Sequence, residues 1–234
     1  MDLAKSHVDV GVVTNQLEPM LTFWQQRAGL PFDQILPLGS GLRQHRHAMN
    51  GSVFKLNHAR DPLPDVPATG YRELWIARDG ARERTELVDP DGNRVVLVPR
   101  GDQGVEGIAV HLAVHNEAEF HDFYGSALGL ERAGDRAYRC GDSILSFAAH
   151  SGAPDAPSAR REPGWIGRGY RYLTIQVREV DREHRGILAR GGREARPPVT
   201  LGTIARVSFV LDPDGNWIEI SQRASLVGSL APSN

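Results

Sequence analysis

The pentapeptide Asp-Pro-Asp-Gly-Asn occurs twice in this chain, at 89–93 and at 212–216. Each copy runs into a short apolar segment, RVVLV after the first and WIEIS after the second. Two copies of one turn-and-strand frame imply two copies of whatever packs around it, so the repeat constrains the fold more than any other feature. Asp-Pro-Asp-Gly suits a type I turn, with Pro at its second position and Gly at its fourth. The segments that follow are rich in Val, Ile and Leu and read as strands. In the second copy Ile218 and Ile220 face one way, and Trp217, Glu219 and Ser221 the other, because strand side chains alternate. The same frame position holds Val96 in the first copy and Glu219 in the second. A lone Glu on a half-exposed strand is most often solvated, but a carboxylate kept in one copy and absent from the other marks a place to look for a site.

The repeat reaches well beyond the pentapeptide. Phe23-Trp24 and Phe123-Tyr124 lie 100 residues apart, as do Gly29-Leu30 and Gly129-Leu130. Each pair belongs to an amphipathic helix with a Gly placed as its C-cap. A strand precedes each helix: Val8, Val10 and Val12 share one face of the first, and Val110, Leu112 and Val114 share one face of the second. Keeping these faces in register pairs Asp9 with His111. Gly70-Tyr71-Arg72 and Gly169-Tyr170-Arg171 open a further strand in each half. From Gly70 to Asp89 is 19 residues and from Gly169 to Asp212 is 43, so the first copy is 24 residues shorter. The longer copy has room for a helix over VDREHRGILARGG and a strand over REARPPVTL. The chain therefore reads as two tandem halves, 1–100 and 107–225. Each half is a doubled strand–helix–strands unit, and the first half lacks a helix and a strand from its second unit.

Bulk properties bound the function. The net charge of −2, with Lys and Arg scattered, gives no electrostatic case for nucleic acid or an anionic membrane. No apolar stretch approaches membrane-spanning length and the N-terminus has no signal-peptide core, so a cytoplasmic protein is expected. One cysteine, Cys140, rules out an intrachain disulfide and a multi-cysteine metal site. Residues 150–169, rich in Pro, Gly, Ala and Arg, are long for a loop in a compact domain and read as a lid over a site or as a disordered segment.

A strand carrying a His, a helix ending FYGSALGL, a second strand–helix unit and then DPDGNWIEI together resemble the vicinal oxygen chelate superfamily. That group includes glyoxalase I, methylmalonyl-CoA epimerase, fosfomycin and bleomycin resistance proteins and extradiol dioxygenases. The resemblance covers nearly the whole chain. It implies an α+β fold of four tandem βαβββ modules, the second truncated, forming two half-barrel domains. It also implies a divalent metal (Fe, Mn, Zn, Ni or Co) held by residues on the first and last strands of paired modules, inside a cup made by a curved sheet. Carried over, the ligands are His111 and Glu219, and the first-strand position of the fourth module falls on Tyr172, where an extradiol dioxygenase has a second His. The third ligand is unassigned, with His150 a candidate. In the first half the corresponding positions are Asp9, Glu73 and Val96; His58 lies close to where third-strand or fourth-strand ligands of this superfamily occur, and the ligand position itself is taken by Lys55. Asp9 and Glu73 read as secondary cation candidates, with hydrogen-bonded strand residues the more common case. His45 and His47 share a strand face and read as solvent-facing.

Three functions follow. The first is a metal-dependent enzyme of glyoxalase type, lyase or isomerase, that chelates adjacent oxygens of a small substrate, with Glu219 or Tyr172 moving a proton. The second is a metal-free protein of the bleomycin-resistance kind, holding an aromatic or antibiotic ligand against Trp217, Tyr172 and lid residues. The third is an extradiol ring-cleaving dioxygenase. In each, Trp217, Gln176 and Arg206 are expected to line the substrate. The truncated half should expose a sheet edge that a second copy of the chain would cover, giving a homodimer.

Overall fold

The computed structural model describes residues 1–149, 164–228 and 230. Its strands fall into two curled sheets, and each sheet takes strands from both sequence halves. The first module supplies β1 (Asp9–Thr14), β2 (Phe32–Gly39), β3 (Leu42–Met49) and β4 (Ser52–Ala59). The second supplies β5 (Tyr71–Arg78), β6 (Thr85–Val88) and β7 (Arg94–Pro99), with no helix between β5 and β6. The third supplies β8 (Ile108–Val114), β9 (Glu131–Gly134), β10 (Ala137–Cys140) and β11 (Ser143–Ala149), and the fourth β12 (Gly169–Gln176), β13 (Arg193–Leu201), β14 (Ala205–Leu211) and β15 (Trp217–Arg223). The eight-stranded sheet runs β13-β14-β15-β12-β1-β4-β3-β2 and the seven-stranded sheet β6-β7-β5-β8-β11-β10-β9. The first module thus pairs with the fourth and the second with the third. The missing helix and strand of the second module explain why one sheet has a strand fewer.

The helices α1 (Leu17–Thr22) and α2 (Glu117–His121) each continue as a π-helical turn, Phe23–Arg27 and Asp122–Ala127. Gly29 (φ 65°) and Gly129 (φ 67°) end these turns in the left-handed conformation that suits glycine. A third helix, α3 (Val180–Ala189), spans the segment that only the longer copy has, and a short α4 (Ala224–Val227) follows β15. Among the described residues no helix is long and apolar enough to cross a membrane. β13 lies at a sheet edge, where Pro197 and Pro198 remove no central ladder bond.

One contiguous core takes Val10, Val12, Leu173 and Ile175 from the first sheet and Leu74, Ile76, Val110 and Leu112 from the second, with Trp24 and Tyr124 between. The repeated motifs clasp the two sheets. In each pentapeptide the first Asp side chain accepts from two backbone N–H groups and from the Asn side chain: Asp89 from Asp91, Asn93 and Asn93 Nδ2, and Asp212 from Asp214, Asn216 and Asn216 Nδ2. The Asn carbonyl then reaches the other sheet. Asn216 Oδ1 accepts from Gly70 N at 2.6 Å, and Asn93 Oδ1 accepts from Tyr170 N at 3.2 Å. The two tyrosines return the contact, Tyr71 donating to Trp217 O and Tyr170 to Arg94 O. These cross-ties make Asp-Pro-Asp-Gly-Asn and Gly-Tyr-Arg two ends of one structural device, used twice.

Candidate functional site

The two sheets differ sharply on the faces turned away from the shared core. On the seven-stranded sheet that face is largely apolar, built from Trp75, Ala77, Val96, Val98, Ala109 and Ile144. On the eight-stranded sheet it is polar and buried, carrying Asp9, Gln44, Lys55, Asn57, Thr174, Gln176 and Ser221. Buried polar groups are costly unless paired.

Register sets its centre. Asp9 pairs with Thr174 across the antiparallel β1–β12 ladder, and Thr174 lies beside Glu219 in the parallel β12–β15 ladder. Thr174, not Tyr172, therefore holds the first-strand position of the fourth module opposite Asp9. Lys55 reaches in from β4. Its Nζ donates to Thr174 Oγ1 at 2.6 Å and to Glu219 Oε2 at 2.9 Å, and lies 4.0 Å from Asp9 Oδ2. Thr174 Oγ1 donates in turn to Glu219 Oε2 at 2.5 Å. The Lys55 side chain is 4% exposed and that of Glu219 14%. Asp9 also accepts from Lys5 Nζ (2.6 Å), Val53 N (2.9 Å) and Gln176 Nε2 (3.3 Å). Burial works against ionising Asp9, but Lys55, Lys5 and the Val53 amide outweigh it and hold the carboxyl below its ordinary value.

Tyr172 lies across the floor. Its ring covers Gly11 so closely that a Cβ there would stand 2.3 Å from ring carbons, and Lys55 Nζ sits 5.5 Å from the ring centre. Its hydroxyl accepts from Gln44 Nε2 (3.3 Å) and Asn57 Nδ2 (3.2 Å). Burial, reinforced by Glu219, pushes the hydroxyl far above its ordinary value, so Tyr172 is a neutral phenol near neutral pH. Beyond it an aromatic wall forms: Phe209 lies 6.4 Å from Tyr172, 5.5 Å from Trp217 and 6.4 Å from Trp165, and the Arg196 guanidinium stands over both tryptophans.

Several expectations need correction. His111 and Glu219 are on different sheets, β8 and β15, and do not form one ligand pair. The physical reason is module pairing: β8 is joined to β5 and β11, so His111 meets Glu73 across the ladder rather than Glu219. His111 Nδ1 bonds Ser146 Oγ, its ring packs 4.6 Å from Trp75, and its Nε2 is buried without a partner. Burial, aided by Arg84 and opposed by Glu73, lowers its basicity. Glu73 is engaged by Trp75 Nε1 and by Arg94 at 3.0 Å. Arg206 does not line the cup. It pairs with Gln222 on the opposite face of the ladder and makes two 2.7 Å bonds to Asp181 of α3. His45 and His47 are buried rather than solvent-facing, and His47 Nε2 meets Gln25 Nε2 at 3.1 Å. His150 lies outside the described residues, as does 150–163 of the segment 150–169 expected as a lid. Lys55 was visible in the sequence as the residue at a ligand position. That its ammonium stands between both carboxylates was not, because that depends on β4 and β15 entering one sheet.

A groove of about 420 Å³ on the helical side, lined by Asp122, Arg190, Asp212 and neighbours, is a poorer candidate. Arg190 is spent on Ser126 and Ala127 carbonyls, and Asp212, pushed up to about 6 by burial, is spent on the pentapeptide turn and Tyr124.

With this geometry in place, comparisons with known proteins are informative. Residues 108–220 match the sequence profile of the Glyoxalase/Bleomycin resistance protein/Dioxygenase superfamily. This segment belongs to that superfamily. The full fold is similar to that of glyoxalase I from Zea mays, with a TM-score of 0.73, 14% identity and 95% of each chain covered. A single-substitution variant of the same maize enzyme gives a TM-score of 0.74 at 16% identity, covering 98% of this chain and 96% of that one. A candidate dioxygenase from Bacillus subtilis gives 0.64 at 14% identity, covering 99% and 92%. No curated protein matches the sequence. Identities this low establish the glyoxalase I-like architecture of two curled half-barrels and leave the chemistry to the side chains.

The side chains do not fit the divalent metal that the superfamily suggests. Among the described residues no three His, Cys, Asp or Glu side chains group as a metal would need. In the polar cup the two carboxylates already share an ammonium. In the other sheet Val96 stands where a carboxylate would complete His111 and Glu73, and Glu73 is already bonded.

Proposed function

We propose that the polar cup of the eight-stranded sheet binds a small organic molecule with a flat apolar part, and that Lys55 supplies the central positive charge in place of a divalent ion. The observation that carries this reading is the Lys55 ammonium, bonded to Thr174 and Glu219 and 4.0 Å from Asp9. A protein-bound metal normally takes three side-chain ligands and leaves positions open for water or substrate. Asp9 and Glu219 would be two of them, and both are neutralised. The glyoxalase-type and ring-cleaving readings in their metal-dependent form therefore have weaker support than the metal-free one. The aromatic wall of Tyr172, Phe209 and Trp217 favours the same choice, since it offers stacking surface beside the charged centre. A ligand carbonyl or enolate oxygen seated there would meet a buried ammonium, and charge-assisted hydrogen bonds of this kind are strong.

A fluorescence titration tests the proposal. A flat aromatic probe such as 1-naphthol should quench tryptophan emission saturably, with the same affinity before and after exhaustive treatment with a chelator. Trp217→Ala should weaken binding about tenfold. Binding that disappears with the chelator and returns with a divalent ion would sink the reading.

A further inference from the structure

Lys55 has a neighbour on the same face. Arg46 of β3 stands directly opposite it in the β3–β4 ladder, so both side chains enter the cup. Arg46 is 5% exposed, and among the described residues its side chain makes one hydrogen bond, from Nη1 to Gln44 Oε1 at 2.9 Å. Its Nε is buried with no hydrogen-bond partner, and the nearest carboxylate, Asp33 on the exposed β2 edge, stands 3.9 Å away. Arg223, last on β15, shares the face of Glu219 two steps further along. Its guanidinium makes no hydrogen bond among the described residues. Burial and then the Arg46 charge lower its pKa, with Glu219, Asp9 and Asp33 pulling the other way.

The acids of the cup do not answer these two cations. Asp9 is committed to Lys5, Val53 and Gln176, and Glu219 to Lys55 and Thr174. Leaving the buried Arg46 Nε–H without an acceptor is costly, and Arg223, half-buried on the same face, brings a second guanidinium. Guanidinium matches carboxylate and phosphate with paired, parallel hydrogen bonds. We infer that Arg46 and Arg223 form an oxyanion subsite, so that the molecule bound in the cup is an aromatic acid, its carboxylate or phosphate held by the two arginines while its ring lies toward Trp217. This rests on the proposed binding role of the cup and names the class of ligand.

The probes are benzoate, its neutral counterpart benzamide, and phenyl phosphate, titrated by calorimetry and by tryptophan emission into the wild-type protein and the Arg46→Gln and Arg223→Gln variants. Benzoate or phenyl phosphate should bind at least about tenfold more tightly than benzamide. Whichever of the two binds more tightly identifies the group. Each substitution should remove most of that preference and leave benzamide affinity unchanged. If Arg46→Gln does not fold, Arg223→Gln at the partly exposed strand end carries the test. Equal affinities for benzoate, phenyl phosphate and benzamide in the wild type, or a preference that survives both substitutions, would overturn the subsite while leaving an aromatic-binding cup in place. Arginine-dependent anion binding without any tryptophan response would do the reverse, keeping the subsite and removing the aromatic seat.

Discussion

Lys55 is expected to behave as a buried counter-ion whose removal exposes what it was balancing. Lys55→Met leaves Glu219 buried without its ammonium and Asp9 with Lys5 as its remaining bonded cation, and should cost about 3 kcal/mol in urea unfolding, the scale on which broken buried pairs fall. Pairing it with Glu219→Gln should recover much of the loss, because the charge left behind is then smaller. A similar cost in the single and double variants would show that Glu219 is not the group the ammonium neutralises. His47 predicts a pH dependence. Burial, then the His45 charge, lowers its pKa from the ordinary 6.5 to about 4. The unfolded chain therefore takes up this proton at higher pH than the folded one. Stability from keeping His47 neutral is present above about pH 6.5 and is lost as pH falls toward 4, at up to about 1.4 kcal/mol per unit. His47→Gln should flatten that part of the urea-midpoint profile, and an unchanged slope would contradict the assignment.

The elements that the sequence made legible are those whose signals are local. The turn Asp, the C-cap glycines and the alternating apolar strands all predict structure from a few adjacent residues, and the strand over REARPPVTL and the truncated second module followed from counting. The clasp between sheets was half legible: both of its motifs were visible as repeats, but not that they bond to each other. It also yields a prediction. Asn216→Ala strands the Gly70 N–H and takes a donor from Asp212, and should cost about 2 kcal/mol, with Asn93→Ala costing less because its bond to Tyr170 is longer. Gly11→Ala should be damaging for a different reason, since its methyl would enter the Tyr172 ring. Stability equal to wild type in either Asn variant would remove the clasp from the account.

At the scale of the molecule, the hidden quantity was which modules share a sheet. Strand patterns in all four modules are alike, so nothing local distinguishes pairing within a sequence half from pairing of outer with outer and inner with inner. The second arrangement splits His111 from Glu219 and brings Lys55, from the far end of the chain, to the carboxylate instead. The central claim is that this ammonium, not a divalent ion, sits between Asp9 and Glu219. Its most direct test is calorimetric titration of Zn²⁺, Mn²⁺, Ni²⁺ and Co²⁺ into the chelator-treated wild-type protein, alongside Lys55→His. The wild type should show no stoichiometric uptake, and the variant, with an imidazole in place of the ammonium beside Glu219 and Asp9, should take up about one equivalent. One equivalent bound by the wild type, and lost in Glu219→Ala, would contradict the account.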